Sequence, residues 1–237
     1  MCEPERLCII PARAGSKGVP NKNIREFMGK PLLVHSIEQA IESGQFDTIA
    51  VSSDSPLYLD IAREAGANFL IDRPEYLASD TATTIDVLVH ALEEAEQIKK
   101  KEFASVCLLQ ATSPLRRFGD IAEAIEVREE GGFDSVLSVC EAKNSPYFNL
   151  VEQKTSGDGV EISKQLNKVV TRRQDAPSIY QINGSIYVWS RQALIQQRKS
   201  LCTKTGIYLM PGLRSVDIDS EEDWKIAEAF AQIISQT

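Results

Sequence analysis

Basic charge is in short supply in this chain of 237 residues: 26 Lys and Arg face 34 Asp and Glu, for a formal net charge of −8. A nucleic-acid binder usually shows a basic face, so the balance argues against that class while leaving room for a local basic pocket. Long apolar runs are missing as well. No segment approaches the ~18 apolar residues of a membrane span, and the N-terminus has no apolar run of signal-peptide length, so no membrane partner is expected. Cysteine is thin and scattered: Cys2, Cys8, Cys107, Cys140 and Cys202 are odd in number, far apart and without metal-ligand spacing. That pattern predicts a reducing, cytoplasmic setting and no structural zinc. Histidine is scarcer still, and both His35 and His90 fall on predicted helices with no role assigned. Internal repeats and low-complexity segments are absent.

What is present is alternation. Strand-like runs at 7–11, 48–51, 68–71, 104–109 and 135–139 are separated by helix-like segments at 32–42, 55–65, 83–101 and 118–130. Within the helices apolar residues recur at helical spacing, as with Leu33, Ile37, Ala40 and Ile41, or Ile85, Leu88, Val89 and Leu92. Several strands are continuous apolar runs, including those around Cys8, Cys107 and Cys140, which is what burial on both faces of a parallel sheet produces. The rhythm predicts a doubly wound α/β fold with a mostly parallel sheet. It changes over residues 141–180, where short extended pieces at 148–151 and 168–170 sit between polar turns, and resumes with a strand at 185–189, a helix at 191–197, a strand at 207–210 and a helix at 220–234. Residues 1–140 and 181–237 therefore read as the α/β domain and 141–180 as an inserted β-rich arm.

Ligands of open α/β sheets bind beyond the carboxyl ends of the strands. The loop after the first strand holds Arg13, Gly15, Ser16, Lys17, Gly18 and Lys22. Bare amides and cationic side chains gathered in one small volume suit a polyphosphate, although the spacing is neither a dinucleotide nor a P-loop fingerprint. Asp217-Ile-Asp219 sets two carboxylates on one side of an extended segment. Near such a loop they make a magnesium site of hard oxygen ligands; the same stretch also reads as a helix N-terminus. Gln110, at a strand end, offers a donor and an acceptor for sugar hydroxyls, and Thr171-Arg-Arg-Gln-Asp175 carries either a solvated charge pair or a fork for an anion.

Taken together, Ile10-Pro-Ala-Arg-Ala-Gly-Ser-Lys-Gly-Val-Pro-Asn-Lys-Asn23, Arg73-Pro-Glu-Tyr-Leu-Ala-Ser-Asp80, Leu109-Gln-Ala-Thr-Ser-Pro-Leu-Arg116, Asn183-Gly-Ser-Ile-Tyr187 and Asp217-Ile-Asp219 resemble the acylneuraminate cytidylyltransferases, the CMP-sialic acid synthetases. The resemblance spans nearly the whole chain. It implies a Rossmann-like nucleotidyltransferase that condenses CTP with a nine-carbon 2-keto sugar acid, releases pyrophosphate and uses Mg2+. By the same resemblance, Ala12, Arg13, Gly15, Ser16, Lys17, Gly18, Lys22 and Asn23 bind the nucleotide, with Arg13 and Lys22 on the triphosphate. Arg73, Ala82 and Thr84 border the cytidine, Gln110 and Tyr187 line the sugar pocket, and Asp217 and Asp219 hold the magnesium. Arg13, Lys22 and Asp219 are the candidate catalytic residues, Asp219 as a possible base. Residues 141–180 correspond to a dimerisation arm exchanged in a homodimer, from which Arg173 reaches the sugar acid's carboxylate in the partner's site.

Two departures point to a subgroup. Phe148 stands near the place of a lysine in sialic acid synthetases, and Gln181 stands where they carry an arginine. The runs Pro146-Tyr-Phe-Asn-Leu-Val-Glu152 and Arg172-Arg-Gln-Asp-Ala-Pro177 are more like the legionaminic acid synthetases of this family. The rival readings are a cytidylyltransferase for the eight-carbon acid Kdo, whose family loop differs, and a catalytically idle nucleotide-binding protein, against which Arg13, Lys22, Asp217 and Asp219 are all present.

Overall fold

The computed structural model describes residues 5–15, 18–79, 81–166 and 172–236. In chain order, β1 (Arg6–Pro11) is followed by a small hairpin of β2 (Glu26–Phe27) and β3 (Lys30–Pro31), then α1 (Leu32–Ser43), β4 (Thr48–Ser53), α2 (Pro56–Glu64) and β5 (Phe69–Asp72). Next come α3 (Glu75–Ala78), α4 (Thr84–Lys99), β6 (Ser105–Leu109), α5 (Phe118–Glu130) and β7 (Ser135–Glu141). A second hairpin, β8 (Val151–Gln153) and β9 (Val160–Ile162), precedes β10 (Tyr180–Ser190), α6 (Arg191–Gln197), β11 (Thr205–Leu209) and α7 (Glu221–Ser235).

Seven strands form one sheet in the order β11-β7-β10-β6-β1-β4-β5. Only β10 runs antiparallel, between β6 and β7; the other pairings are parallel. Every residue of β4 and β6 is buried, as their apolar runs require of strands covered on both faces. The period of two then sorts each strand between two cores. Cys8, Ile10, Ile186 and Val188 pack with α1, α2 and α5, while Leu7, Ile9, Tyr187 and Trp189 pack with α4 and α6. A third cluster seats α7 through Trp224 against Val19, Phe27 and Ile218. The expected fold class is therefore present, with free, buried thiols at Cys8, Cys107, Cys140 and Cys202. Among the described residues no helix is long and apolar enough to cross a membrane.

Several expectations are revised in detail. Ile41 is exposed, because the α1 face turned inward is Leu33, Ser36, Ile37 and Ala40. The strand expected at 148–151 starts only at Val151: the amides of Phe148, Asn149 and Leu150 all donate to the Ser145 carbonyl, and Asn149 Oδ1 accepts from the Ser145 amide at 2.6 Å. A local turn there outcompetes extension. The piece expected at 168–170 lies outside the described residues, as do Cys2, Ser16 and Lys17. The excursion leaves from Glu141 and returns at Tyr180, which are paired across β7 and β10.

Asp120 fastens the segment that leads to Asp217. Its carboxylate is 3% exposed and accepts from Tyr208 Oη at 2.9 Å and from Arg214 Nε at 3.2 Å and Nη2 at 2.5 Å. Burial, with bonds to Glu123 and Asp120, pushes the Tyr208 hydroxyl up, so it stays a donor. Removing the carboxylate strands a half-buried guanidinium. Asp120→Ala is expected to cost about 3 kcal/mol in urea unfolding; a loss below about 1 kcal/mol would show the link to be marginal.

Candidate active site

The chain breaks from β1 at Pro11 into a loop that is sewn to the end of β4. The Ala12 amide donates to the Ser52 carbonyl at 3.0 Å, the Ala14 amide to Asp54 Oδ1 at 2.8 Å, and Asn23 Nδ2 to the Arg13 carbonyl at 3.1 Å. The loop's far side rests on the acidic segment. A Cβ at Gly18 would stand 2.1 Å from the Asp219 carbonyl oxygen, so only glycine permits this approach. Lys22, its side chain 10% exposed, donates to the Ile218 carbonyl at 2.6 Å and to Asp219 Oδ1 at 2.9 Å. Arg73 follows β5 and donates to Ser52 Oγ at 3.1 Å and to the Ser52 carbonyl at 2.6 Å. Burial holds its guanidinium down at about 10, with Asp54 opposing and Arg13 adding to the fall, so it remains charged at neutral pH.

These groups surround a cleft of about 440 Å³. Of the nominated residues, Arg13, Gly18, Lys22, Asn23, Arg73, Ala82, Thr84, Gln110 and Asp219 line it. Leu77, Ser79, Val87 and Thr112, not nominated from the sequence, line it too. Thr84 opens α4, whose N-terminus is capped by Thr83 accepting from the Asp86 amide, so the positive end of a helix dipole borders the cleft. Ala12 is buried in the core instead, and Gly15 turns the loop at a φ of +74°. Ser16 and Lys17 lie outside the described residues, as does the side chain of Arg173, whose backbone begins a short 3-10 turn, Arg173–Asp175. Its neighbour Arg172 is exposed and pairs with Asp175 at 2.9 Å, the solvated-pair reading of that motif.

Asp217 and Asp219 flank Ile218, which is fully buried in the α7 cluster. Helix capping falls to Ser220 and Asp223, in a reciprocal box, which leaves Asp219 to Lys22. Asp217 does not line the cleft itself. It sits beside Gly184, where an added Cβ would be 2.7 Å from Oδ2. Its carboxyl is held above the usual range mainly by burial, opposed by a hydrogen bond from Thr112; the charge of Asp219 adds to the rise and Lys22 counters it. Oδ1 is buried with no hydrogen-bond partner. An orphaned carboxylate oxygen beside a second carboxylate fits a hard divalent cation. Among the described residues no group of three or more His, Cys, Asp and Glu gathers, so such an ion would need oxygens from elsewhere. Tyr187 is not among the residues that line the cleft: it packs on the α4 and α6 face, stacked on Trp189 with centroids 5.7 Å apart. Burial and then the charge of Asp217 raise its hydroxyl's pKa, which places it at the acidic end.

The chain as a whole has relatives among known proteins. A family model described as cytidylyltransferase matches residues 7–235. The post-translational flagellin modification protein B of Campylobacter coli and the CMP-N,N'-diacetyllegionaminic acid synthase of Campylobacter jejuni subsp. jejuni serotype O:2 are each 38% identical over 224 residues, 94% of this chain and 94% of theirs. The N-acylneuraminate cytidylyltransferase of Streptococcus agalactiae serotype V is 37% identical over 222 residues, 92% of this chain but 51% of its own, so the chain spans about half the length of that relative. In fold, the chain is like the CMP:2-keto-3-deoxy-manno-octonic acid synthetase solved with CTP, at a TM-score of 0.68 and 17% identity, covering 98% of this chain and 100% of that one.

A buried carboxylate with one oxygen unpartnered among the described residues costs stability. Without divalent ions, Asp217→Asn is expected to stabilise the protein by about 1 kcal/mol, a rise of about 2–4 °C in the melting midpoint. A fall in the midpoint would mean that the charged carboxylate is structurally required.

Proposed function

The chain belongs to the cytidylyltransferase family, and we propose that it joins CTP to a nine-carbon 2-keto sugar acid of the legionaminic or N-acylneuraminic class, giving the CMP-sugar and pyrophosphate. The observation that carries this reading is the bond from Lys22 Nζ to Asp219 Oδ1, which merges the cationic loop and the acidic pair into one site. The relatives' names supply the class of acid.

In this reading the triphosphate lies along Arg13, Lys22 and the loop amides, with Arg73, Ala82 and Thr84 bordering the cytidine. The anomeric 2-hydroxyl oxygen of the sugar acid attacks the α-phosphorus. A phosphorus–oxygen bond forms, the bond to the β-phosphate breaks, and pyrophosphate carries away charge that Arg13 and Lys22 offset. The hydroxyl proton passes to a nearby base, for which Asp219, exposed on the cleft wall, is the candidate. Asp217 and Asp219 would hold Mg2+, which when bound neutralises phosphate oxygens. Gln110 takes sugar hydroxyls at the end of β6, with Tyr187 near Asp217 edging the same side. The uncharged Phe148 and Gln181 favour a legionaminic-type acid.

Residues 141–180 act as a dimerisation arm. An isolated two-stranded hairpin is marginal in water, yet β8–β9 carries Val151 and Val160 exposed at 56% and 60%, and Phe148, Leu150, Tyr180 and Ile182 are exposed beside it. A second copy of the chain would cover them and bring its Arg173 to the sugar carboxylate. The buried free thiols accord with a reducing cytoplasm.

Pyrophosphate release should be selective for CTP over other nucleoside triphosphates and require a nonulosonic acid. Arg13→Ala should lower turnover about 100- to 1000-fold without unfolding the chain. Equal release with all four nucleotides, or a fully active Arg13→Ala, would sink the assignment. Light scattering should give twice the 26.3 kDa chain mass.

A further inference from the structure

Among the described residues, Arg116 is the most deeply set cation near the cleft, yet it makes no ion pair with a carboxylate. It is 3% exposed. Its Nε donates to Ser185 Oγ at 2.9 Å, and its Nη1 to Ser36 Oγ at 3.0 Å and to Gln39 Oε1 at 3.4 Å. Its Nη2 donates to the Gln110 carbonyl, which also accepts from Ser36 Oγ at 3.2 Å. Burial lowers the guanidinium to about 10, with the nearby thiols of Cys107 and Cys8 and the charges of Asp120 and Asp217 opposing, so it is a cation at neutral pH. Burying a charge costs several kcal/mol, and a purely packing role would not call for one.

Two of these bonds reach segments that carry a piece of the site, and the two to Ser36 and Gln39 brace the guanidinium on α1. Gln110 ends β6 and lines the cleft. Ser185 closes a bend in β10, where the pairing register with β7 shifts between Ile182 and Tyr187. The bend is pinned on its other side by Asn183, whose Oδ1 accepts from Ser138 Oγ at 2.6 Å and from the Ser185 amide at 3.2 Å. Gly184 in the middle has a φ of +73° and forms the surface against which Asp217 Oδ2 rests. A backbone bond from the Gln110 amide to the Ser185 carbonyl, 3.3 Å, closes the ring.

We propose that Arg116 is a positioning residue: from beneath the cleft it locks the Gln110 strand end to the 183–185 bend, and through Gly184 it fixes the height of the Asp217 carboxylate. The proposal rests on the reaction proposed above. It couples the sugar-facing glutamine to the cation-facing aspartate through one buried guanidinium, so loosening it disturbs both without touching the triphosphate loop.

The test uses Arg116→Lys and Ser185→Ala, each compared with the wild-type chain by circular dichroism and urea unfolding. Mn2+ binding in the presence of CTP is read by electron paramagnetic resonance, CTP binding without metal by calorimetry, and KM is measured separately for CTP and for the sugar acid. Both variants should bind Mn2+ about tenfold more weakly and show a raised KM for the acid, as displaced outer partners of a metal site do, while metal-free CTP binding stays within about twofold. A folded variant with wild-type Mn2+ affinity and wild-type KM would overturn the proposal. So would an equal loss of metal-free CTP binding, which marks general loosening. If Arg116→Lys fails to fold, Ser185→Ala, which removes a single hydroxyl, decides. A wild-type chain that binds Mn2+ and CTP but releases no pyrophosphate with any acid counts against the reaction, a result separate from the variants' Mn2+ affinities.

Discussion

The ammonium of Lys22 joins two stretches of chain 196 residues apart, and the site is built on that junction. The loop after β1 and the segment before α7 have no strand pairing in common. What brings them together is the apolar contact of Val19 with Ile218 and Trp224, an amine held on the Ile218 carbonyl and the Asp219 carboxylate, and a glycine bare enough to lie on the Asp219 backbone. With the two stretches apart, the loop is a glycine-rich turn and Asp217 and Asp219 are an acidic helix approach. In contact, they set Arg13, Lys22 and Asp219 around one cleft, with Asp217 close behind it.

The sheet supplies the frame. Parallel strands β1, β4 and β6 deliver the loop, the Ser52–Asp54 anchor and Gln110 to one end, as an open α/β sheet does. The antiparallel strand β10 breaks the pattern and brings a bend to that end from the opposite direction. Polar side chains buried under this end, Ser36, Ser52, Ser138, Ser185, Asn183 and Arg116, tie the loops together where an apolar core could not fix their relative heights.

Much of this was legible in the sequence. Uninterrupted apolar runs marked the buried strands, and the switch to helical spacing marked α4 and α5, because burial writes itself directly into residue type. The spacing of Asp217 and Asp219 marked them as a pair, but not that Asp219 would line the cleft while Asp217 is buried beside Gly184. Contacts between distant segments were not legible. Gly18 read as a loop glycine and Gly184 as part of a motif, and nothing in their neighbours announces that each abuts an acidic residue far along the chain. Arg116 sat inside a recognisable motif without its burial being visible. Tyr187 shows the limit of a motif: it stacks on Trp189 and is not among the residues lining the cleft that Gln110 lines. Phe148 shows the limit of propensity, since a turn organised by Ser145 and Asn149 takes residues that read as extended.

The path of β10 has a mechanical consequence. The strand starts at Tyr180, where the excursion rejoins the sheet, and reaches Gly184 four residues later, a span of about 13 Å at strand rise. Between the two, Gln181 and Ile182 pair with β7, so the piece is held to the sheet up to the bend at 183–185. Whatever seats or lifts the excursion therefore acts on the same strand that carries the resting surface of Asp217. The excursion and the Asp217 carboxylate are thus linked through one short paired run and the bend at Gly184, so a shift at one end reaches the other across a handful of residues.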